Sequence, residues 1–423
     1  MERISYSQTK LALIIGAGAS NPFAPSLTSS FLTKELRRWD NWKGIISRVP
    51  LAINVSRSDI RHTVRRILSQ TRKETNFEHI IEIIDKICGY YANNKKSLFN
   101  KEVNIIRRSN KDKGGSRNCY AIIPFLAREI IADAISSSLK NGLDSELLTK
   151  QGEFIKFLVS KSNNVSIISF NYDYVLDRTL NAINSKDYPS PSFCNGFTKE
   201  ASDGNELDLG KLTKASNSIV FLHGSILFNY KYNGRRLIYN SSYDEAEADR
   251  WRSLKEIYPP KQTSVGQHGV NTIDFNTFIV SGQTKETTMK NAPFNRFYQK
   301  AVDDIYKSDA IVIIGYSFHD DHINSVLSYY TETRKDHKVI VVDKQQEIND
   351  AVDGPLSPLM DVLSTNIQVN GNSDKKGSFR FNNYDQLIKD KEGWISENVY
   401  YYAKGYDEFL KKYEQAINKI MNL

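Results

Sequence analysis

Residues 10–20, KLALIIGAGAS, are the stretch of sequence that decides the fold. An apolar run through Ile15 predicts a buried parallel strand, which leads directly into Gly16 and Gly18. Glycine has no Cβ, so the chain can turn tightly there and a ligand can approach the main chain. A helix opening after the turn offers unpaired N–H groups to an anion, which predicts a phosphate. Asn21 stands where the dinucleotide fingerprint has its third glycine, and the alternative is a packed turn without a ligand.

Length and composition are typical of a globular protein with more than one structural unit. Of the 423 residues, 40% are hydrophobic and 25% are charged, and this length predicts two or three units. No apolar run approaches the ~20 residues of a membrane span, and MERISYSQTK at the start lacks the apolar core of a secretory signal. Three widely spaced cysteines are too few for a disulfide framework or a zinc pair. We therefore expect a cytoplasmic protein without a membrane span or a metal.

The net charge of +8 is concentrated in one stretch, residues 95–117. Eight basic residues lie there against two acidic residues. Because SNKDKGGSR within this stretch is polar and turn-forming, one interpretation is a solvated loop. The other is a contact with a partner or with nucleic acid, since a basic patch is the electrostatic footprint of a polyanion site.

Helical periodicity dominates the sequence between residues 25 and 160. NFEHIIEIIDKICGYY, residues 76–91, places its apolar residues on one helical face. Asn76 is the predicted N-cap of this helix, and Glu78 is a favourable acid in its first turn. The apolar face consists of Phe77, Ile80, Ile81, Ile84, Ile87 and Cys88.

Strand-like segments rich in Val, Ile and Phe follow the helical stretch. Helix-like segments separate them, which predicts β–α–β units and a parallel sheet. The predicted fold class is α/β: a Rossmann-like, doubly wound parallel sheet with a large helical insertion and a C-terminal helix. Residues 227–240 form a predicted hairpin around Asn233-Gly234, and residues 400–421 form a predicted amphipathic helix. The predicted strands after the insertion are 164–170, 218–223, 277–282, 309–315 and 337–343.

These patterns divide the chain into three predicted parts. Residues 1–24 and 160–345 form the sheet domain, and residues 25–159 form the helical insertion module. Residues 346–423 form a C-terminal extension, whose helix we expect to pack on the body of the protein or at a subunit contact.

Polar side chains follow several predicted strands at the point where each strand ends. Ligands of an open parallel sheet bind beyond the carboxyl ends of its strands, so these residues are predicted to surround a ligand. Each also has a purely structural explanation, since Asn, Asp and Ser commonly cap helices and a histidine can belong to the core. Their convergence on one sheet edge favours a site. The residues are the turn 16–20, Asn171, Asp173, His223, Ser225, Gly315, Ser317, Asp320 and Asp343.

Taken in order, GAGAS, SFNYD, FLHGS and IVIIGYSFHDDHI, followed by a strand ending in Asp, resemble the sirtuin-like fold. More narrowly, the set resembles the sirtuin-like NAD+ hydrolases of bacterial anti-phage defence. The resemblance covers residues 11–24 and 164–345 and does not extend to the helical insertion or the C-terminal extension.

The resemblance implies that NAD+ is bound as a substrate along this sheet edge. Gly315 and Ser317 would approach its adenosine side, and Asp343 would accept hydrogen bonds from a ribose. The pyrophosphate would lie on the turn formed by Gly16, Ala17, Gly18, Ala19 and Ser20.

At the nicotinamide end, the resemblance implies three catalytic residues. Asn171 would hold the attacking water or the ribose, His223 would be the base, and Asp173 would steady the carboxamide or the loop that carries it. Breaking the nicotinamide–ribose bond builds positive charge on the sugar, so the step needs positioning and a base rather than a metal. Imidazole suits the base because its ordinary pKa lies near neutrality.

The leading interpretation is an effector that hydrolyses NAD+ to nicotinamide and ADP-ribose during infection. One alternative is a regulatory module that binds NAD+ or ADP-ribose without turnover. A protein deacylase is a further alternative, although deacylases of the sirtuin family carry a four-cysteine zinc module that this chain lacks. A nucleic-acid-binding protein that uses residues 95–117 is the last. Because an unrestrained NAD+ hydrolase would poison its own cell, we expect a homo-oligomer with a protein partner such as a motor ATPase.

Overall fold

The computed structural model describes residues 9–50, 56–93, 117–140, 143–162, 164–183, 192–200, 204–231, 236–257, 278–281, 289, 293–334, 336, 338–344, 362–363, 389–395 and 398–421. Three features predicted from the sequence therefore lie largely or wholly outside the described residues. They are the basic stretch 95–117 (apart from Arg117), the hairpin turn at Asn233-Gly234 and most of residues 346–398.

A seven-stranded sheet lies at the centre of the protein. Six strands are parallel, and an edge strand pairs antiparallel to its neighbour. The interior strand Lys10–Ile15 is buried from Leu11 to Ile15, so other elements cover both of its faces. In spatial order the strands are β10 (Glu392–Trp394), β11 (Val399–Tyr402), β9 (Lys338–Val342), β8 (Ala310–Ile314), β1 (Lys10–Ile15), β2 (Asn164–Ser169) and β5 (Ser218–Phe221).

The order of the six parallel strands is that of a dinucleotide-binding sheet. Numbered along the chain, they lie in the sequence 3-2-1-4-5-6 from β5 to β11. The direction of the order reverses between β1 and β8, whose last residues, Ile15 and Ile314, are paired. The α/β, Rossmann-like class predicted from the sequence is confirmed, and a ligand crevice is expected at this reversal.

Five of the six helices that the structure describes before β2 pack on one another, and we call these five the helical layer. The long helix α5 contacts each of the other four. All six apolar residues of the predicted face of α4 are buried, and the Glu78 N–H donates to Asn76 Oδ1 over 2.9 Å, as expected of an N-cap. The helices are α1 (Ser29–Arg37), α2 (Trp39–Arg48), α3 (Arg57–Gln70), α4 (Phe77–Asn93) and α5 (Arg117–Lys140).

The remaining helices accompany the strands. Of these, α6 (Ser145–Lys161) and α10 (Phe294–Lys307) contact β2, and α13 (Tyr413–Met421) contacts β9. No helix in the described part of the chain combines the length and apolar character that crossing a bilayer requires. The helices are α6 (Ser145–Lys161), α7 (Val175–Ile183), α8 (Leu209–Lys214), α9 (Tyr243–Ile257), α10 (Phe294–Lys307), α11 (Asp321–Thr333), α12 (Tyr406–Phe409) and α13 (Tyr413–Met421).

A second sheet of four antiparallel strands includes the predicted hairpin. The two hairpin strands pair in the register Lys231↔Arg236, on either side of the predicted turn. In spatial order the strands are β3 (Phe197–Glu200), β4 (Gly204–Leu207), β7 (Arg236–Tyr239) and β6 (Phe228–Lys231).

Three predicted elements differ from the structure. Residues 278–281, the described part of the predicted strand 277–282, lie outside the parallel sheet, and Ile279 forms a single antiparallel bridge with Gly224. The predicted helix 400–421 begins as strand β11, because its tyrosines favour a pleated surface and Gly405, with φ 97°, separates that strand from the helix. The glycine turn leads into a single 3₁₀ turn, Ala17–Ala19, rather than directly into an α-helix.

Candidate functional site

The carboxyl ends of the parallel strands bring the predicted site residues to one edge of the main sheet. The turn 16–20 follows β1, and Asn171 and Asp173 follow β2. His223 follows β5, Gly315 and Ser317 follow β8, and Asp343 follows β9. Because these strands are parallel and hydrogen-bonded in register, their ends lie side by side.

The glycine turn is packed directly against the loop after β8. The Gly18 N–H donates to Gly315 O over 2.9 Å, and the Gly16 N–H donates to Ile314 O over 2.9 Å. A Cβ on Gly16 would lie 2.4 Å from Gly315 O, and one on Gly18 would lie 2.8 Å from the Gly315 Cα. Gly315 itself has φ 59°, the left-handed region that favours glycine. The three glycines are therefore required for the close approach of two loops at the strand-order reversal.

Most backbone donors of this turn are already engaged. Besides Gly16 and Gly18, the Ala19 N–H donates to Gly16 O and the Ser20 N–H donates to Ala17 O. A phosphate bound here would have to displace these contacts or use other donors. Phosphate binding by the turn stays a prediction, and the alternative of a packed turn gains a concrete geometric basis.

Ser20, Asn171 and Asp173 form one buried hydrogen-bonded cluster. The Ser20 hydroxyl donates to Asp173 Oδ2 over 2.7 Å and accepts from Asn171 Nδ2 over 2.8 Å. Asp173 Oδ1 also accepts the Val175 N–H at 2.9 Å, so Asp173 caps α7 as well. Since the Asn171 amide nitrogen points to Ser20, its Oδ1 points elsewhere, and this buried oxygen has no hydrogen-bond partner among the described residues.

A small cavity adjoins this cluster. Its volume is about 10 Å³, room for one water molecule at most. Ser20, Asn171, Asp173 and Gln151 are among its lining residues. A single water is thus the largest group that fits beside Asn171 in this conformation.

Burial dominates the electrostatics of the two aspartates near this cluster. Burial raises the pKa of Asp173 above its ordinary value, while the hydrogen bonds from Ser20 and Val175 oppose the rise. One helical turn further on, burial and then the charge of Asp173 raise the pKa of Asp177 to about 7.

His223 is held between a carboxylate and two aromatic rings. Its Nε2 lies 3.0 Å from Asp320 Oδ2, and both side chains are buried. The Phe170 ring packs edge-on against the imidazole with centroids 4.9 Å apart, and the Tyr172 ring stacks on it at 6.1 Å. Asp320 Oδ1 also accepts the Ile323 N–H at 3.3 Å, so the N-cap of α11 is the partner of the histidine.

The histidine–aspartate pair spans the sheet edge. Strands β5 and β8, which precede the two residues, are separated in the sheet by β2 and β1. Phe170, which follows β2, contacts both His223 of the loop after β5 and Tyr316 of the loop after β8. The loops after β5 and β8 therefore converge above the ends of the intervening strands.

Two predicted residues lie apart from these clusters. Ser317 is exposed, between the positive-φ residues Gly315 and Phe318. The Asp343 carboxylate accepts the Lys344 N–H over 2.8 Å, and burial raises the pKa of Asp343. The roles of Ser317 and Asp343 at an NAD+ site therefore stay predictions.

A group of three acidic residues elsewhere has metal-like spacing but is already paired with two arginines. Glu129, Asp133 and Glu247 place carboxylate oxygens within 4.8 Å of one another. Arg250 Nε donates to Glu129 over 2.5 Å, and Arg48 pairs with both Asp133 and Glu247. Two guanidinium groups therefore hold the charge that a cation would otherwise balance.

Comparison with known families gives one match. Residues 165–354 match the model of a family described as SIR2-like domain. No curated protein matches the chain. The match supports the sirtuin-like resemblance for residues 165–345 of the sheet domain, without β1 and the glycine turn, and associates this part of the chain with NAD-dependent enzymes. It begins after the helical layer, which lies outside it.

Two residues of the site had no predicted role in it. Asp320 was among the polar residues expected at the sheet edge, but in the sequence it is indistinguishable from an ordinary N-cap, so its pairing with His223 was not predicted. Tyr172 lies between two predicted catalytic residues, and its hydroxyl donates to Glu78 Oε1 in the helical layer over 2.9 Å. The position of Tyr172 within SFNYD was the signal in the sequence that could have placed it at the site. Its hydrogen bond to Glu78 could not be predicted in this way, because Glu78 is 94 residues away in the chain.

Proposed function

We propose that this protein is an NAD+ hydrolase that cleaves the nicotinamide–ribose bond to give nicotinamide and ADP-ribose. The observation that carries the proposal is the buried Asn171 amide, which Ser20 orients and Asp173 supports through Ser20. Its Oδ1 has no hydrogen-bond partner among the residues that the structure describes. The His223–Asp320 pair at the same sheet edge supplies a base. The SIR2-like match is consistent with NAD+ as the ligand.

The residues present fit NAD+ in chemical type. The strand-order reversal between β1 and β8 is the usual site of a dinucleotide in such sheets, and the Gly16–Gly315 contact leaves backbone rather than side chains at that point. The orphaned Asn171 Oδ1 accepts a hydroxyl or water proton. The cavity of about 10 Å³ beside it is far smaller than the ~300 Å³ or more of a ligand pocket, so binding requires this end to open.

The chemistry assigned to the chain is the delivery of water to a developing sugar cation. As the C1′–N bond breaks, its electron pair moves to the pyridinium ring, and water adds to C1′ and loses a proton. Asn171 Oδ1 orients the water or the ribose hydroxyl beside it. The proton passes to His223 or to the solvent, and the products are nicotinamide, ADP-ribose and one proton.

The hydrogen bond to Asp320 determines which ring nitrogen of His223 carries the proton in the neutral form. When Nε2–H donates to the Asp320 carboxylate, the neutral ring carries its lone pair on Nδ1, and this nitrogen is the proton acceptor. The carboxylate also stabilises the imidazolium that results. Asp320 is therefore a positioning residue rather than a catalytic one.

The experiment that tests the proposal measures nicotinamide release from NAD+. We expect His223→Ala and Asn171→Ala to lower kcat by about two to four powers of ten, the range for losing a positioned proton-transfer group. NAD+ affinity should fall much less, because the glycine turn, Ser317 and Asp343 at the same edge of the sheet are unchanged. His62→Ala, on an exposed face of α3, is the matched control and should retain wild-type kcat.

Two outcomes would contradict the proposal. If wild-type protein binds NAD+ but releases no nicotinamide with any partner present, the regulatory binding module becomes the better account. If His223→Ala melts far below wild type, the histidine is a core residue and its loss of activity says nothing about a base.

The biological setting is also part of the proposal. We propose that hydrolysis depletes NAD+ as an anti-phage response and stays low until the chain assembles into a homo-oligomer, with a motor ATPase as the partner. The helical layer and the C-terminal helices offer surfaces outside the sheet edge for this assembly.

A further inference from the structure

Tyr172 connects the candidate catalytic loop to the helical layer. It lies in the chain between Asn171 and Asp173, and its ring contacts both His223 and Phe77, the first residue of α4. The Tyr172 hydroxyl donates to Glu78 Oε1 over 2.9 Å. One side chain of the loop after β2 thus contacts both the histidine after β5 and the first turn of α4.

The hydroxyl of Tyr172 acts as a hydrogen-bond donor here. Burial, and then the nearby Glu78 carboxylate, raises the pKa of Tyr172 well above its ordinary value. The phenol therefore stays protonated, and the carboxylate is the acceptor. A hydrogen bond to a charged group is stronger than one between neutral groups.

A second connection runs from the helical layer to the histidine through the segment 278–281. The Val280 N–H donates to His223 O over 2.8 Å, and the Ser225 N–H donates to Phe278 O over 2.9 Å. The short segment 278–281 is itself held by Arg128 of α5, whose Nε donates to Ile279 O over 3.1 Å.

Arg128 is in turn fixed to α4. Its two terminal nitrogens donate to the two oxygens of Asp85 over 2.9 and 2.8 Å, and the Arg128 side chain is only 1% exposed. The Tyr172 hydroxyl also lies 3.3 Å from Val280 O. Helix α4 therefore holds the loop around Asn171 through Glu78, and the main chain of His223 through Asp85, Arg128 and the 278–281 segment.

We propose that Glu78 and Tyr172 are positioning residues, and that the helical layer completes the candidate active site by holding Asn171 and His223 in their working geometry. The inference rests on the proposed hydrolase function. It goes beyond the SIR2-like match, which begins at residue 165 and does not include the layer. Any displacement of α4 from the sheet edge would break the Glu78–Tyr172 bond and release the catalytic loop.

The test removes the bond from each side. Tyr172→Phe keeps the ring contacts with Phe77 and His223 and deletes the hydroxyl. Glu78→Ala deletes the acceptor, whereas Glu78→Gln retains an oxygen that accepts the hydroxyl proton. Glu82→Ala, one turn along α4 and paired with Lys86 at its surface, is the matched control.

We expect Tyr172→Phe and Glu78→Ala each to lower kcat by about tenfold, in keeping with the loss of one charged hydrogen bond, while KM changes less than about twofold. The double variant should be no slower than the slower single variant, since both remove the same bond. Glu78→Gln should recover most of kcat, and Glu82→Ala should match wild type.

Amide hydrogen exchange gives a readout that does not depend on turnover. In Tyr172→Phe, peptides that cover residues 170–176 and 222–228 should exchange faster, while those in α11 should be unchanged. Additive losses in the double variant, or unchanged exchange around both loops, would overturn the inference. A wild-type protein without hydrolase activity would defeat the proposed function alone, because the exchange measurement would still decide whether α4 holds these loops.

Discussion

Replacing Arg250 should destabilise the protein strongly, because its buried guanidinium donates to four acceptor atoms. Its Nε and Nη2 donate to the two carboxylate oxygens of Glu129 over 2.5 and 3.3 Å. Its Nη1 donates to Ile226 O over 2.8 Å and to Phe228 O over 3.1 Å. The side chains of Arg250 and Glu129 are 3% and 0% exposed. The pair joins α5 of the helical layer to the segment just after His223.

In Arg250→Met an unbranched apolar side chain takes the place of the aliphatic part of the arginine, and the positive charge is lost. Removing one partner of a buried ion pair costs about 3–5 kcal/mol, since the remaining charge is buried alone. Part of this loss is recovered by protonation. Burial already raises the pKa of Glu129, and Arg250 opposes that rise, so without Arg250 the pKa of Glu129 rises further.

The sign of the pH dependence follows from this shift. When a carboxyl group has a higher pKa in the folded protein than in the unfolded chain, the free energy of unfolding of the protein falls as pH rises, because the group loses its proton at a lower pH in the unfolded chain. The deficit of Arg250→Met relative to wild type should therefore be larger at about pH 8 than at about pH 5.5. Combining it with Glu129→Met should recover part of the loss, although the carbonyls of Ile226 and Phe228 still lack their donor.

Urea unfolding followed by tryptophan fluorescence and by circular dichroism measures the loss. The matched control is Arg252→Met, two residues along α9, where the arginine is 66% exposed and pairs with Asp249 at the surface. We expect a change within about 0.5 kcal/mol for this control. A loss below about 1 kcal/mol in Arg250→Met, or an equal deficit at both pH values, would refute the reasoning.

Three further predictions address the glycine turn, the histidine pair and assembly. Gly18→Ala should destabilise the fold by about 1–3 kcal/mol, because its Cβ would meet the Gly315 Cα. Gly44→Ala, whose Cβ lies in open space on α2, should stabilise the fold by about 0.5–1 kcal/mol. Urea unfolding midpoints compare the two variants, and equal shifts would contradict the packing argument. Asp320→Asn should lower kcat by about ten- to a hundredfold, because the amide cannot stabilise an imidazolium as a carboxylate does; steady-state kinetics test it, and wild-type kcat would remove Asp320 from the mechanism. Light scattering of purified protein should find a homo-oligomer with low hydrolase activity until a partner is added, and a fully active monomer would argue against control by assembly.

The central sheet was predictable because its strands are buried on both faces. Parallel strands such as β1 and β8 form near-continuous apolar runs, which stand out from the surrounding amphipathic helices. The polar residues at the strand ends followed from the same pattern, since topology alone places the carboxyl ends of parallel strands at one edge. The hairpin of β6 and β7 was predictable for a local reason, the Asn-Gly turn signal.

Other features depend on contacts that sequence periodicity does not encode. Tyr400–Tyr402 fit either an amphipathic helix or a strand, and the decision comes from pairing with β9, some sixty residues earlier. The His223–Asp320 contact requires two loops to meet above the ends of strands that neither loop follows. The hydrogen bond from Tyr172 to Glu78 likewise depends on how the helical layer packs against the sheet edge.

The candidate site consists of two halves that are stabilised by different interactions. At the strand-order reversal, Gly16, Gly18 and Gly315 are held by backbone hydrogen bonds and direct main-chain contact, where an added Cβ has no space. Around Asn171 and His223, the geometry depends instead on side-chain hydrogen bonds from Ser20, Asp320 and the helical layer. A backbone contact of the first kind cannot be adjusted without unfolding the turn, whereas the side-chain contacts of the second kind can break and reform one at a time. On the proposed function, the half that must open to admit a nicotinamide ring is therefore the half that the helical layer holds, and we expect regulation of the proposed hydrolysis to act there.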